Sequence, residues 1–137
     1  MRHWLMKSEP SAYSWEDMVR DKRTSWTGVR NFQAANNLKA MAIGDRAFFY
    51  HSNEGKAIMG VVEVIRAAYP DATDKTGRFV TVDVKPVHPA KNPVTLAAIK
   101  SNPALKSLAL LRQSRLSVSP VEEDSWAVLA AMAGLKP

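Results

Sequence analysis

No cysteine occurs in this chain of 137 residues, which excludes disulfides, thiolate metal sites and thiol nucleophiles together and implies no oxidising compartment. Long apolar runs are missing as well. The N-terminal stretch Met1-Arg2-His3-Trp4-Leu5-Met6-Lys7-Ser8 meets charge too early for a signal peptide or a membrane span, so a soluble, cytoplasmic protein without a membrane partner is expected. Acidic residues are in the minority. Thirteen of them against 19 lysines and arginines give a net charge of +6 and an isoelectric point near 9.8, a balance that favours a polyanionic partner. The charge is dispersed, with none of the like-charge blocks that form nucleic-acid-binding tails. His3, His51 and His88 lie far apart and in no metal-binding spacing, and P-loop and dinucleotide fingerprints are absent. No metal and no cofactor are therefore expected.

A chain of this length buries a sizeable core as a single domain, here taken as 1–137, and a monomer is the default. Its densest chemistry lies in Trp26-Thr27-Gly28-Val29-Arg30-Asn31-Phe32. The stretch joins a large π-surface, a backbone hinge at Gly28, a fixed cation at Arg30 and a donor-plus-acceptor amide at Asn31. A helix from Arg30 to Leu38 would hold these polar tips near its N-terminus, where free backbone N–H groups favour acceptor-bearing ligands.

In chain order, His3 to Lys7 predicts a buried first strand that stops by Pro10, and Ser14 predicts an N-cap for a helix over 15–21. Arg46 to Ser52 and Ala57 to Ile65 predict a strand pair, the second covered on both faces. Gly60 within it predicts a bulge or a close approach to the backbone. The segment Ala67 to Gly77 predicts a loop. Phe79 to Lys85 alternates, placing Val80, Val82 and Val84 inward and Thr81, Asp83 and Lys85 toward water. Pro86, Pro89 and Pro93 predict irregular chain up to Thr95, which caps 96–100. Helices over 104–111 and 125–133 and a closing strand over 116–119 complete the pattern, with Trp126 assigned to packing. The sum is an α+β domain, a small, mostly antiparallel, curved sheet or open barrel with helices inserted and packed outside.

Five segments, Trp4-Leu5-Met6-Lys7-Ser8-Glu9-Pro10, Trp26 to Ala34, Phe49-Tyr50-His51-Ser52, Ala68-Tyr69-Pro70-Asp71 and Leu111 to Val118, together resemble the EVE domain. The resemblance spans the chain in the expected order and implies a PUA-like fold with a pocket beside the sheet. It also implies a non-enzymatic module that reads modified cytosine or another altered base of DNA or RNA. Phe32 stands where the family often has tyrosine and Ala35 where it often has arginine, which removes one phosphate contact or one helix ion pair.

In such a pocket the base would lie against Trp26, with Gly28 allowing close approach. Asn31 and Ser8 would meet its pairing edge, Tyr50 or His51 would close the pocket with an aromatic wall and a switchable donor, Arg30 would hold phosphate or stack on the ring, and Lys7 would hold phosphate. Stacking contributes ~1–3 kcal/mol per base and flipping costs on the order of a few kcal/mol, so selectivity falls to the rim. A general RNA-binding module and a sensor of free nucleosides or other small molecules remain as alternatives. Ser8, His51 and Glu9 supply the residue types of a hydrolase, but Ser8 lacks a Gly-x-Ser-x-Gly context, so no catalytic residue is assigned.

Overall fold

The computed structural model describes residues 1–135. Six strands form one sheet in the order β2-β5-β4-β3-β1-β6, where β1 is His3–Ser8, β2 Thr24–Ser25, β3 Arg46–His51, β4 Ala57–Pro70, β5 Val80–Thr95 and β6 Val118–Val121. The sheet is open. Its edges, β2 and β6, do not meet, and every pairing except the parallel β1–β3 is antiparallel. The α+β architecture expected from sequence is thus observed, with one parallel pair in the sheet's interior.

Helices enter where the caps prescribe. In α1, Trp15–Asp21, the Ser14 hydroxyl accepts from the Asp17 N–H while the Asp17 carboxylate accepts from the Ser14 N–H, satisfying two end groups reciprocally. Helix α2, Phe32–Ala40, begins two residues later than expected because Asn31 is its N-cap. Thr95 caps α3, Leu96–Lys100. The helix expected over 104–111 divides into a 3₁₀ turn at Pro103–Leu105 and α4 at Ala109–Arg112. Helix α5, Glu123–Met132, is followed by Gly134 at φ +77°, a conformation that favours glycine.

Two strands run further than predicted. β4 continues to Pro70 through the expected loop, pairing Tyr69 with Thr81 and Pro70 with Val80. β5 carries all three prolines, Pro86, Pro89 and Pro93. The reason lies at the edge: β2 covers β5 only at Val84 and Asp83, so from Pro86 onward no outer partner requires the missing N–H. The expected solvent-facing role of Thr81 and Asp83 is also corrected. Both are buried, and Asp83 accepts hydrogen bonds from Tyr69, Ser25 and Arg23.

Apolar side chains fill both faces of the sheet. Trp4, Met6, Phe49, Val62 and Val64 pack with α1 and α2 on one side, and Leu5, Phe48, Ile58 and Val61 pack with α5 on the other. Gly60 lies at a register shift opposite Phe49, as its place in the strand suggested. A Cβ there would stand 2.5 Å from the Trp15 ring and 2.7 Å from the His88 carbonyl. Gly60→Ala is therefore expected to destabilise the fold by ~1–3 kcal/mol, read as a lowered urea midpoint with an unchanged slope.

Candidate nucleic-acid interface

The C-terminal ends of β1 and β3 lie side by side in register, Lys7 beside Tyr50 and Ser8 beside His51. Alternation along the strands then sends Lys7 and Tyr50 to one face and Ser8 and His51 to the other. Two hollows open at this end. The first, of about 410 Å³, is lined by Lys7, Ser8, Tyr13, Ser25, Trp26 and Thr27, among others. The second, of about 440 Å³, gathers Lys7, Lys56 and Arg115 around Tyr50 and Ser52, with Glu9 as its one acidic residue. Lys7 borders both. Its ammonium donates to the Ser114 carbonyl at 2.8 Å, and burial lowers its pKa from 10.5.

Trp26 forms a wall of the first hollow while only 8% exposed. Its backbone N–H donates to Val82, extending the β2 pairing, and its ring meets Phe49 edge-on at 5.6 Å and 88°. The indole is fixed rather than free to swing, and little of its surface is exposed. Ser8 donates to the Tyr13 carbonyl at 2.6 Å, which leaves its lone pairs for a ligand donor. Ser25 is oriented by Asp83, at 2.8 Å. In Asp83, burial opposes ionisation, but hydrogen bonds from Tyr69, Ser25 and Arg23 outweigh it and hold the pKa below 3.8.

The other expected site residues are positioned differently. Asn31 does not line the Trp26 hollow; its side-chain oxygen accepts from the Ala34 N–H at 2.9 Å, so the amide caps α2. Gly28, at φ +86°, donates its N–H to Asp71 at 2.8 Å. Arg30 reaches the same Asp71 oxygen at 3.2 Å and Thr73 at 3.0 Å and lies over the Phe79 ring, which makes it a brace between loops. His51 is buried and accepts the Trp15 N–H through Nε2 at 3.0 Å. It is an acceptor that starts α1, where a switchable donor was expected.

Ser8 and His51 are strand neighbours, yet their hydrogen bonds go to Tyr13 and Trp15. The nucleophile–base hydrogen bond that activation requires is not formed. No group of three or more histidine or carboxylate side chains suited to a metal occurs among the described residues. Sequence reasoning missed Tyr13, Ser25, Thr27, Lys56 and Arg115 as site-lining residues. Thr27 and Arg115 lay within quoted motifs, and Lys56 was legible as nothing more than a charge after a turn.

The sequence matches the EVE domain family over residues 2–132. The chain belongs to that family. It is 34% identical to thymocyte nuclear protein 1 of Gallus gallus, over 98% of this chain and 70% of that protein. A solved protein of Rhodopseudomonas palustris is 52% identical, with a TM-score of 0.93 over 98% of this chain and 94% of that one. The human THYN1 protein, solved in complex with DNA containing 5-methylcytosine, is 32% identical, with a TM-score of 0.92 over 100% of both chains. The open, PUA-like sheet of this EVE domain is thus shared along its whole length with a solved DNA complex.

Two buried groups give this end of the EVE domain a definite pH response. In Asp71 burial opposes ionisation, but hydrogen bonds from Thr73, Gly28 and Arg30 outweigh it and hold the pKa at about 2. That depression stabilises the folded state by about 2 kcal/mol above the unfolded value, and the contribution is lost as pH falls from 3.8 to about 2. Asp71→Asn should lower stability by this order at neutral pH, with the gap to the natural protein closing in acid unfolding curves. Burial lowers the His51 pKa from 6.5, against an opposing pull from Glu16. The folded state needs the imidazole neutral to accept from Trp15, so stability should fall as pH drops below 6.5. Melting temperatures at successive pH values should show a shallower fall in His51→Gln.

Proposed function

We propose that this EVE domain is a non-enzymatic DNA-binding module that takes one modified pyrimidine, of the 5-methylcytosine type, into the Trp26 cleft. The observation that carries this reading is the cleft's position. A hollow walled by a fixed indole opens beside Lys7, next to the groove that gathers Lys56 and Arg115. The complex of human THYN1 with DNA containing 5-methylcytosine supports the choice of ligand. In this reading the base leaves its stack, the hollow receives the ring, and the basic groove follows the flanking phosphates.

The volumes suit that division of labour, since small-ligand sites typically occupy ~300–1,000 Å³. Because Trp26 is only 8% exposed, stacking should contribute less than the usual ~1–3 kcal/mol per base. Discrimination then rests on the shape of the hollow and on polar groups already oriented within it, Ser8 by Tyr13 and Ser25 by Asp83. A buried methyl is worth ~0.8 kcal/mol, or roughly fourfold in affinity. Lys7, Lys56 and Arg115 add a sequence-independent, salt-sensitive share. Arg30, already paired with Asp71, is assigned a bracing role in place of phosphate contact.

Anisotropy titrations should find roughly fourfold tighter binding of a methylated oligonucleotide than of its unmethylated twin. Lys7→Gln should weaken both alike and reduce the salt slope by about 1. Ala12→Phe, which fills the cleft from an exposed lining position, should abolish the preference while retaining the salt-dependent affinity. Equal affinity of the natural protein for both DNAs would end the base-reading proposal, and tighter binding of the ribose counterpart would replace DNA by RNA.

A further inference from the structure

A third hollow, of about 520 Å³, lies on the α5 face of the sheet and is lined by His3, Arg46, Val61, His88, Glu123 and Trp126, among others. His3 and Arg46 are register partners at the N-terminal ends of β1 and β3. They stand roughly 13 Å along the strand from Lys7, at ~3.3 Å per residue, so this hollow is separate from the Trp26 cleft. No step of the proposed DNA reading uses it.

The hydrogen-bonding capacity of its polar groups is not filled within the protein. The Arg46 Nε is ion-paired with Glu63 at 3.6 Å but, though buried, makes no hydrogen bond. A buried guanidinium N–H without an acceptor is costly, and a ligand acceptor placed there would relieve that cost. The same hollow is lined by Met1 and by Glu123, an exposed residue in the first turn of α5. Its carboxylate has no hydrogen bond or ion pair with protein among the described residues. His3 feels both charges, Glu123 raising and Arg46 lowering its pKa, while burial holds it below 6.5.

The wall between these charges is apolar. Trp126 is stacked between His3, at 4.2 Å, and Phe48, at 3.9 Å. Both of its faces are covered, so its edge borders the hollow together with Val61 and Ala130. A flat base would find no open aromatic face here. The Glu123 carboxylate, the Arg46 guanidinium and the aliphatic residues that line the same hollow define a different occupant. We propose that this hollow binds a small zwitterion with an apolar body, of the class of the apolar α-amino acids, its carboxylate on Arg46 and its ammonium on Glu123. The volume lies within the range of small-ligand sites.

The test uses L-leucine together with two compounds that each lack one charge, 3-methylbutylamine and 4-methylpentanoate. Leucine should raise the melting temperature and shift the NMR signals of the Trp126 indole N–H and the Arg46 Nε–H. Each single-charge analogue should bind at least about tenfold more weakly, as expected for loss of a charge-assisted contact. Arg46→Gln should reduce leucine to the level of the amine, Glu123→Gln should reduce it to that of the carboxylate, and Arg46→Lys should retain part of the difference. Absence of any shift with millimolar leucine, or equal affinity for all three compounds, would overturn the assignment.

Discussion

The parallel register of β1 on β3 is the constraint on which the rest of the molecule depends. Setting Leu5 beside Phe48 and Met6 beside Phe49 commits each strand's odd and even positions to separate cores, since a shift of one residue would exchange the faces. The same register places Lys7 beside Tyr50 and Ser8 beside His51 at one end, and His3 beside Arg46 at the other. Both chemically distinctive ends of the sheet therefore follow from one pairing. Neither strand is an edge: β6 flanks β1 and β4 flanks β3, so the pair is held from both sides.

A basic chain with few acids uses several of those acids as internal ties. Asp45 accepts from the Arg2 and Ala42 N–H groups and the Trp4 indole, fastening the start of β1 to the turn before β3. Asp71 fastens the loop after Trp26 to the β4–β5 turn, and Asp83 fastens β2 and Tyr69 to β5. Each is buried, and each carboxylate meets several donors, the condition under which a buried charge is tolerated. Three of the thirteen acids are thus withdrawn from the surface, which adds to the positive excess expected of a polyanion binder. The cleft wall formed by Trp26 is held through two of these ties rather than by its own packing alone.

The arrangement of elements was legible because it is written locally. Ser14, Thr95 and Gly134 mark helix ends through groups that act on their own neighbours. Val80, Val82 and Val84 announce a strand by period alone. The errors share a cause. Pro86 and Pro89 looked like breakers because their tolerance depends on the reach of β2 along β5, a non-local fact. Asp83 looked solvent-facing because Tyr69 and Ser25, its donors, are distant in sequence.

The candidate site divides along the same line. Residue types and spacing by themselves determined an α+β architecture with positive charge, no thiol chemistry, and an aromatic and polar cluster around Trp26. Whether a polar side chain in that cluster is free or engaged was decided only by folding. Asn31 turned to its own helix, Arg30 to Asp71 and His51 to Trp15, while Tyr13, Ser25, Lys56 and Arg115 came to line the two hollows. The reason is physical: each hydrogen bond satisfies one donor and one acceptor, and which partner is within about 3 Å is a property of tertiary contacts, not of neighbours in the chain.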